Sequence, residues 1–145
     1  MHSLINAAMN GKEVTAVLEL RARFDESNNA MWSRKLQEAG VNVIFGVPGL
    51  KLHSKIGYIE RKPEGHLAEK YVFISTGNFH AGTAKIYTDY TYFTTNPGIT
   101  KEVEQIFKFF GANYLNQSYS HLLVSPYGTR RKIVKMIKKE IKNQL

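Results

Sequence analysis

The stretch that decides the fold is residues 14–45, VTAVLELRARFDESNNAMWSRKLQEAGVNVIF. Residues 14–23 alternate apolar and polar side chains, which predicts a strand with its charges on one face. Apolar side chains then recur at helical spacing as far as Gly40, a natural helix stop. Residues 41–45 are apolar apart from Asn42 and rich in β-branched side chains, as in a strand buried on both faces of a parallel sheet. A strand, a helix and a strand in this order predict a βαβ unit.

The rest of the chain continues the alternation of strands and helices. The predicted elements are a hairpin of strands 51–61 and 70–75 around a turn at 62–65, a strand at 87–95, a helix capped by Thr100, and a last helix at 129–143. The 145 residues contain no internal repeat, low-complexity segment or interdomain linker. We therefore predict one α/β domain, a mixed sheet flanked by helices.

Composition narrows the classes of function. The chain has no cysteine, which excludes disulfides and thiolate metal sites. It has no apolar run long enough to span a membrane and no signal-peptide pattern, so we expect a soluble, cytoplasmic protein. The net charge of +8 is concentrated in the last segment, where one glutamate opposes seven basic residues: Arg130, Arg131, Lys132, Lys135, Lys138, Lys139 and Lys142. Because the remaining residues are nearly neutral, the pattern does not favour a protein that coats nucleic acid duplexes.

The sharpest local pattern is Leu52–Lys55, LHSK, inside the predicted strand 51–61. Residues two apart on a strand share a face, so the His53 imidazole and the Lys55 ammonium are predicted to project together. Further along, Ser75–Asn78 (STGN) offers hydroxyls, backbone N–H groups and an amide in a glycine-containing loop. A histidine nucleophile, a lysine charge and an asparagine donor are suited to phosphoryl transfer.

Several stretches, in order along the chain, carry a resemblance to a known family. They are residues 20–26 (LRARFDE), 48–55 (PGLKLHSK), 75–79 (STGNF), 87–90 (YTDY), and the ending from 124–126 (VSP) through Arg130 and Arg131 to Ile141. Together they resemble the first C-terminal domain of polyphosphate kinases, over nearly the whole chain. The resemblance implies a phospholipase D-like fold, with residues 1–145 as that catalytic domain within a longer chain.

The resemblance also implies an activity. Members of the family transfer the terminal phosphate of ATP to polyphosphate, reversibly and with magnesium, through a phosphohistidine. The matching position here is His53, which would attack the γ-phosphorus in line. Lys55 and Asn78 would then stabilise the equatorial oxygens of the transferred group.

Three more residues are predicted to belong to the site. Arg23 matches an arginine of the family's magnesium and phosphate site, and we expect it to touch phosphate because a guanidinium has no lone pair for a metal. Tyr87 matches a tyrosine associated with the nucleotide. Asp89, two residues further on the same predicted strand face, is a candidate to hold the tautomer of His53, as triad aspartates do. This last role rests on the predicted strand and not on the resemblance.

Departures from the family set further expectations. Family members are several times longer, and their active site lies between two related halves. We therefore expect the remaining domains of the full-length kinase, ATP or ADP, and polyphosphate as partners, and little or no processive synthesis by this chain alone. A homo-oligomer and a possible membrane association are expected only of the full-length enzyme, and no DNA partner is expected. Phe73 stands where some members carry a histidine, which puts an essential histidine there in doubt.

Two other functions stay open at the level of the sequence. A chain with a single His-x-Lys motif can form a phosphodiesterase of the phospholipase D type, a nuclease or lipase, by dimerising to pair two histidines. The fuller motif of that group has an aspartate after the lysine, where this chain has Glu60 and then a hairpin. The second alternative is a non-catalytic module that binds polyanions through Arg130 and Arg131, because two guanidiniums at a helix N-terminus suit such a ligand.

Overall fold

A computed structural model describes residues 1–19, 26–114 and 117–144. The chain divides into two compact units by its internal contacts. The first comprises residues 1–53 and 110–113, and the second comprises residues 54–109 and the described residues after 113. The predicted α/β fold class is confirmed, since strands and helices alternate along the described chain. No helix in these ranges is long and apolar enough to cross a membrane.

The first unit is built around a βαβ arrangement. Its elements are α1 (His2–Met9), β1 (Thr15–Leu18), α2 (Glu26–Glu38) and β2 (Asn42–Phe45). β1 and β2 pair in parallel, with Thr15 opposite Asn42 and Leu18 opposite Phe45, which confirms the predicted βαβ unit. Its core is formed by Ala16, Leu36 and Val41, against which partly buried side chains pack: Ile5, Ala8, Val14, Leu18 and Val43.

Three expectations for this unit need correction or qualification. The described strand β1 ends at Leu18, and residues 20–23 of the predicted strand lie outside the described residues. The prediction that β2 is buried on both faces is wrong, because Phe45 is 45% exposed and β2 pairs only with β1 within the described ranges. The sequence patterns also missed α1, an eight-residue helix that packs Ile5 and Ala8 on the core.

The second unit is an antiparallel sheet with helices. It contains β3 (Lys55–Arg61), β4 (Glu69–Ser75), a 3-10 turn (Thr83–Lys85), β5 (Thr91–Thr94), α3 (Pro97–Gly111) and α4 (Thr129–Asn143). The strand order is β3-β4-β5, with both neighbouring pairs antiparallel. The predicted hairpin and the predicted last helix are both confirmed.

The pairing of this sheet places polar side chains at one end. Lys55 lies opposite Ser75, and Ser75 lies opposite Thr91, so the three residues form one row across the strands. Because side chains alternate along a strand, Lys70 of β4 points to the other face. Its ammonium contacts Glu104 of α3 at 2.6 Å, which puts α3 on that face. The row that begins with Lys55 therefore projects from the face opposite the Lys70–Glu104 contact.

Two strands begin later than predicted. β3 begins at Lys55 and not at residue 51, because Gly49, with φ 77°, turns the chain and the Leu50 N–H bonds to the carbonyl of Val47. β5 begins at Thr91 and not at residue 87, because the preceding residues are held by the 3-10 turn, where the Tyr87 N–H bonds to a carbonyl of that turn at 3.1 Å. Local turns thus shorten both strands at the ends that carry the predicted site residues.

The start of α3 also differs from the prediction. Asn96 caps the helix, since its side-chain oxygen accepts the N–H groups of Gly98 (2.9 Å) and Ile99 (3.2 Å). Pro97 takes the first helical position, where its missing N–H costs nothing. Thr100 is therefore not the cap: it lies inside the first turn, only 2% exposed, and its hydroxyl donates to the carbonyl of Pro97.

Candidate functional site

His53 is the last residue of the first unit, and its side chain is exposed. It lies in the loop before β3, so the prediction that it projects from a strand is wrong. The residue before it is tied to the end of β1: the Leu52 N–H donates to Glu19 Oε2 at 3.4 Å, and Asn29 Nδ2 donates to the Glu19 carbonyl at 3.1 Å. Sequence reasoning missed Glu19, although ligand-binding groups often follow the carboxyl ends of parallel strands.

Lys55 opens β3 and is held by the strand pairing. It is partly buried, and its register partner Ser75 lies in a hydroxyl pair with Thr91, Oγ to Oγ1 at 2.9 Å. Burial lowers the pKa of the Lys55 ammonium, and the negative charge of Asp89 raises it in part, so that the net pKa lies below the usual value. The structure therefore brings Lys55 and Asp89, two of the predicted site residues, close enough to interact.

Asp89 is fixed by the STGN loop. The Thr76 hydroxyl donates to Asp89 Oδ1 at 3.0 Å, and Thr76 Oγ1 accepts the Tyr90 N–H at 3.1 Å. The Thr76 N–H donates in turn to the Tyr90 carbonyl at 3.0 Å. Gly77 lies so close to Asp89 that a Cβ there would be 2.7 Å from Oδ2. These contacts join residues 75–78 to residues 87–90, one loop carrying Asn78 and the other Asp89.

The geometry changes the basis on which Asp89 was predicted. Because β5 begins at Thr91, Tyr87 and Asp89 do not share a strand face, and that part of the prediction is wrong. The carboxylate faces Thr76 and influences Lys55. The role of Asp89 in holding the tautomer of His53 stays a prediction.

Asn78 and Tyr87 lie at exposed positions around this cluster. Asn78 is exposed, and its carbonyl accepts the His80 N–H at 2.8 Å. His80 Nδ1 accepts the Thr83 N–H at 3.2 Å, which ties the loop to the 3-10 turn. Tyr87 is 67% exposed. Both side chains are thus open to a ligand.

Phe73 lies on the same sheet face as Lys55, two residues along β4 from Ser75. Its ring covers Gly57, where a Cβ would lie 2.0 Å from Phe73 Cε1. It also contacts Phe79 edge-on, with ring centroids 5.8 Å apart, and Phe93 at 6.1 Å. Phe73 is therefore part of an aromatic cluster, which the sequence patterns did not reveal.

The structure describes the predicted polyanion residues but not the arginine predicted for the magnesium and phosphate site. Arg23 lies outside the described residues. Within the described ranges no group of three or more histidine or acidic side chains could hold a metal ion. Magnesium commonly binds through one or two carboxylates and the phosphates of its substrate, and Asp89 is the carboxylate available beside Lys55.

Arg130 and Arg131 are exposed in the first turn of α4, after Gly128 at φ 81°, and that helix start has no side-chain cap.

Comparisons with known proteins agree with one another. The family model for polyphosphate kinase C-terminal domain 1 matches residues 1–116. The polyphosphate kinase of Vibrio parahaemolyticus serotype O3:K6 is 50% identical over 143 residues, and that of Escherichia coli (strain K12) is 48% identical over 141. These matches cover 99% and 97% of this chain, which spans only 20% of the length of either relative.

A solved structure gives the same result. The crystal structure of polyphosphate kinase from Porphyromonas gingivalis matches with a TM-score of 0.83 at 36% identity. The match covers 98% of this chain and 24% of the solved chain. The family model alone covers well over half of the residues, and sequence and structure point to the same relatives. The chain belongs to the polyphosphate kinase family.

Proposed function

We propose that this chain carries the phosphoryl-accepting histidine of a polyphosphate kinase, which transfers the terminal phosphate of ATP to polyphosphate reversibly. The observation that carries the proposal is that Lys55 lies opposite Ser75 of the STGN loop, whose next residue, Thr76, binds Asp89. His53 is exposed two residues before Lys55 in the sequence. Family membership supports the reaction, since the named relatives are polyphosphate kinases.

The proposed reaction has two transfers. An imidazole nitrogen of His53 attacks the γ-phosphorus of ATP, a P–N bond forms, and the bond from phosphorus to the ADP oxygen breaks. The terminal oxygen of a polyphosphate chain then attacks the phosphohistidine, and the P–N bond breaks as the chain grows by one phosphate. Both transfers run backwards when ADP and polyphosphate are in excess.

Electrostatics supports the proposed role of Lys55. An ammonium that is held by a strand and partly desolvated interacts more strongly with developing charge than a solvated one does. Asp89 opposes the effect of burial on the pKa of Lys55, so it helps to keep that group protonated at neutral pH. Asn78, exposed on the loop that Thr76 joins to Asp89, would donate to another oxygen of the transferred group.

The nucleotide and the metal complete the proposal. Tyr87, largely exposed, would contact the nucleotide, and Arg23 would contact phosphate. Magnesium would arrive with the nucleotide phosphates and neutralise part of their charge, with Asp89 as an available carboxylate. We further propose that polyphosphate contacts Arg130 and Arg131 at the start of α4, where exposed guanidiniums and a helix N-terminus without a side-chain cap favour an anion.

We propose that the remaining domains of the kinase supply the rest of the site. The chain spans a fifth of the length of its curated relatives, so partner groups for His53 would come from the other four fifths. The isolated chain would therefore bind phosphates but turn over little. Membership of the kinase family also favours phosphoryl transfer over the phosphodiesterase alternative.

Phosphoryl labelling tests the proposal. The chain is mixed with ATP labelled at the γ-phosphate, magnesium and the remaining domains of the kinase. We expect a label on protein that is labile in acid and stable in alkali, as phosphohistidine is. His53→Ala should abolish the label, whereas His80→Ala, a histidine of the neighbouring loop, should leave most of it. A label of full intensity in His53→Ala would exclude this residue as the acceptor.

A further inference from the structure

A buried carboxylate on α3 binds the loop that leads to α4. Glu102 is 6% exposed. Its Oε1 accepts the N–H groups of Ser120 (2.6 Å) and His121 (2.9 Å), and its Oε2 accepts the Leu122 N–H at 2.8 Å. The imidazole of His121 adds a contact from Nδ1 to Oε1 at 3.1 Å. Three consecutive N–H groups around one anion fix the path of residues 120–122.

The electrostatics of Glu102 fit this role. Burial raises the pKa of the carboxyl, but the backbone N–H groups of His121, Leu122 and Ser120 outweigh it, and the net pKa lies below the usual value. Glu102 therefore stays ionised, and its charge is satisfied by the loop. Removing that charge would leave three converging donors without their acceptor.

A lysine of α4 holds the same loop through its carbonyls. Lys132 Nζ donates to the carbonyl of Tyr119 and, at 3.2 Å, to that of Leu122. The residues 119–122 are thus bound by Glu102 through their N–H groups and by Lys132 through their C=O groups. We call this arrangement, Glu102 with residues 119–122 and Lys132, the α3–α4 brace.

The α3–α4 brace fixes which way the first turn of α4 faces. Successive residues of a helix are turned by about 100° around its axis. With Lys132 directed at the loop, Arg131 and Arg130 are displaced by about 100° and 200° from it, and both are exposed. A rotation of α4 that freed Lys132 would also move the two guanidiniums.

We infer that Glu102 and Lys132 are positioning residues that orient Arg130 and Arg131 for polyphosphate. The inference rests on the proposed function, in that it takes the arginine pair as a polyanion contact. Neither positioning residue touches the ligand. The brace acts by holding two guanidiniums at a fixed spacing beside a helix N-terminus, which reduces the ordering that binding a flexible polyanion requires.

The first experiment tests the α3–α4 brace without any ligand. Hydrogen exchange is measured on the 145-residue chain as wild type, Glu102→Gln and Lys132→Met. We expect faster exchange at the N–H groups of 120–122 and in the first turn of α4 in both variants. Glu104→Gln is the matched control for Glu102, since it removes the same charge from the same helix and contacts lysines instead of the loop. Unchanged exchange in both variants would overturn the inference.

The second experiment tests the consequence for binding. The affinity for long-chain sodium polyphosphate is measured at several salt concentrations for Lys132→Met, with Lys135→Met as the control that removes an equal charge from an exposed site on α4. We expect Lys132→Met to weaken binding about fivefold to tenfold beyond the control. Because Lys132 is less buried than Glu102, this variant still reports if Glu102→Gln fails to fold.

A double-mutant comparison separates positioning from a general structural effect. In a chain that already carries Arg130→Ala and Arg131→Ala, the Lys132→Met substitution should lower affinity no more than Lys135→Met does. A further loss of the same size as in the wild-type background would refute positioning through the arginines. If the arginine substitutions themselves leave affinity unchanged, the polyanion part of the proposed function fails instead, and the exchange measurement still decides on the brace.

Discussion

Replacing Gly77 with alanine tests whether Asp89 sets the charge of the lysine at the candidate site. An ideal Cβ on Gly77 would lie 2.7 Å from Oδ2, 2.8 Å from Cγ and 2.9 Å from Cβ of Asp89. All three distances are shorter than van der Waals contact. They run the length of the side chain, so turning the terminal oxygens alone does not relieve them. The Asp89 side chain must rotate away from the loop, and because rotation leaves its Cβ in place, the backbone of residue 77 or 89 must shift as well.

The steric overlap and a lost hydrogen bond lower the stability, and a gain at the backbone opposes them in part. The rotation breaks the hydrogen bond from Thr76 Oγ1 to Asp89 Oδ1, an exposed contact worth about 1 kcal/mol. Gly77 does not have a left-handed φ, so alanine can adopt its backbone conformation. Alanine then stabilises the fold by about 0.4–1 kcal/mol, because it lowers the conformational entropy of the unfolded chain. The free energy of unfolding should therefore fall by about 1–3 kcal/mol, set mainly by the steric cost. Lys55, in contrast, loses the charge that raises its pKa.

An NMR titration of the Lys55 ammonium measures the effect. We expect Gly77→Ala to lower the pKa of Lys55 further, in the same direction as Asp89→Asn. Gly82→Ala is the control, because its Cβ would meet Cε1 of His80 at 2.8 Å and does not approach Asp89. If Asp89→Asn lowers the pKa of Lys55 and Gly77→Ala leaves it unchanged, the steric argument is wrong. If neither changes it, Asp89 does not set the charge of Lys55.

Three further predictions concern the same unit. Lys108 and a second lysine lower the pKa of Glu104 to about 2, below its value in the unfolded chain. The contribution of the Glu104 charge to stability is therefore present above about pH 4.5 and is lost as the pH falls towards 2. Glu104→Gln should remove about 1–2 kcal/mol of that acid-dependent stability, allowing for solvent screening, as urea unfolding across this range will show. Gly57→Ala should destabilise the sheet by about 1–3 kcal/mol, since its Cβ would overlap the Phe73 ring. Thermal unfolding tests this reason, because the substitution should cost less in a chain where Phe73→Ala has removed the ring. Lys55→Met should slow formation of the labelled histidine in the reconstituted kinase about a hundredfold or more, and an unchanged rate would exclude Lys55 from the transfer.

Periodicity predicted the elements whose side chains pack on a core. The βαβ unit and the β3–β4 hairpin follow from alternation and helical spacing, because burial selects apolar side chains at those periods. The helical spacing also predicted α4, although none of its residues is buried. The ends of β3 and β5 were predicted wrongly, since local hydrogen bonds at Leu50 and Tyr87 decide where those strands begin. Turn geometry of this kind depends on a few backbone angles and leaves little trace in the pattern.

Contacts between distant residues lay beyond the sequence patterns. Glu102 occupies a helix position that spacing alone would assign to any charged residue, yet it binds N–H groups 18–20 residues away. Nothing in the pattern of residues 117–122 marks that loop as an anion-binding turn. Glu19 is a similar case, because its bond to the Leu52 N–H joins residues 33 apart. Such contacts appear only once the elements are placed in space.

The corrected start of β3 changes how the His-x-Lys pair is understood. On a continuous strand the two side chains would share one face by backbone geometry alone. In the structure the strand holds only Lys55, through its pairing with Ser75, while the residue before His53 is tied to Glu19 at the end of β1. The chain around His53 and the side chain of Lys55 are therefore held by different contacts. A substitution at Glu19 should slow the proposed transfer to His53 without changing the pKa of Lys55, whereas Asp89→Asn should lower the pKa of Lys55.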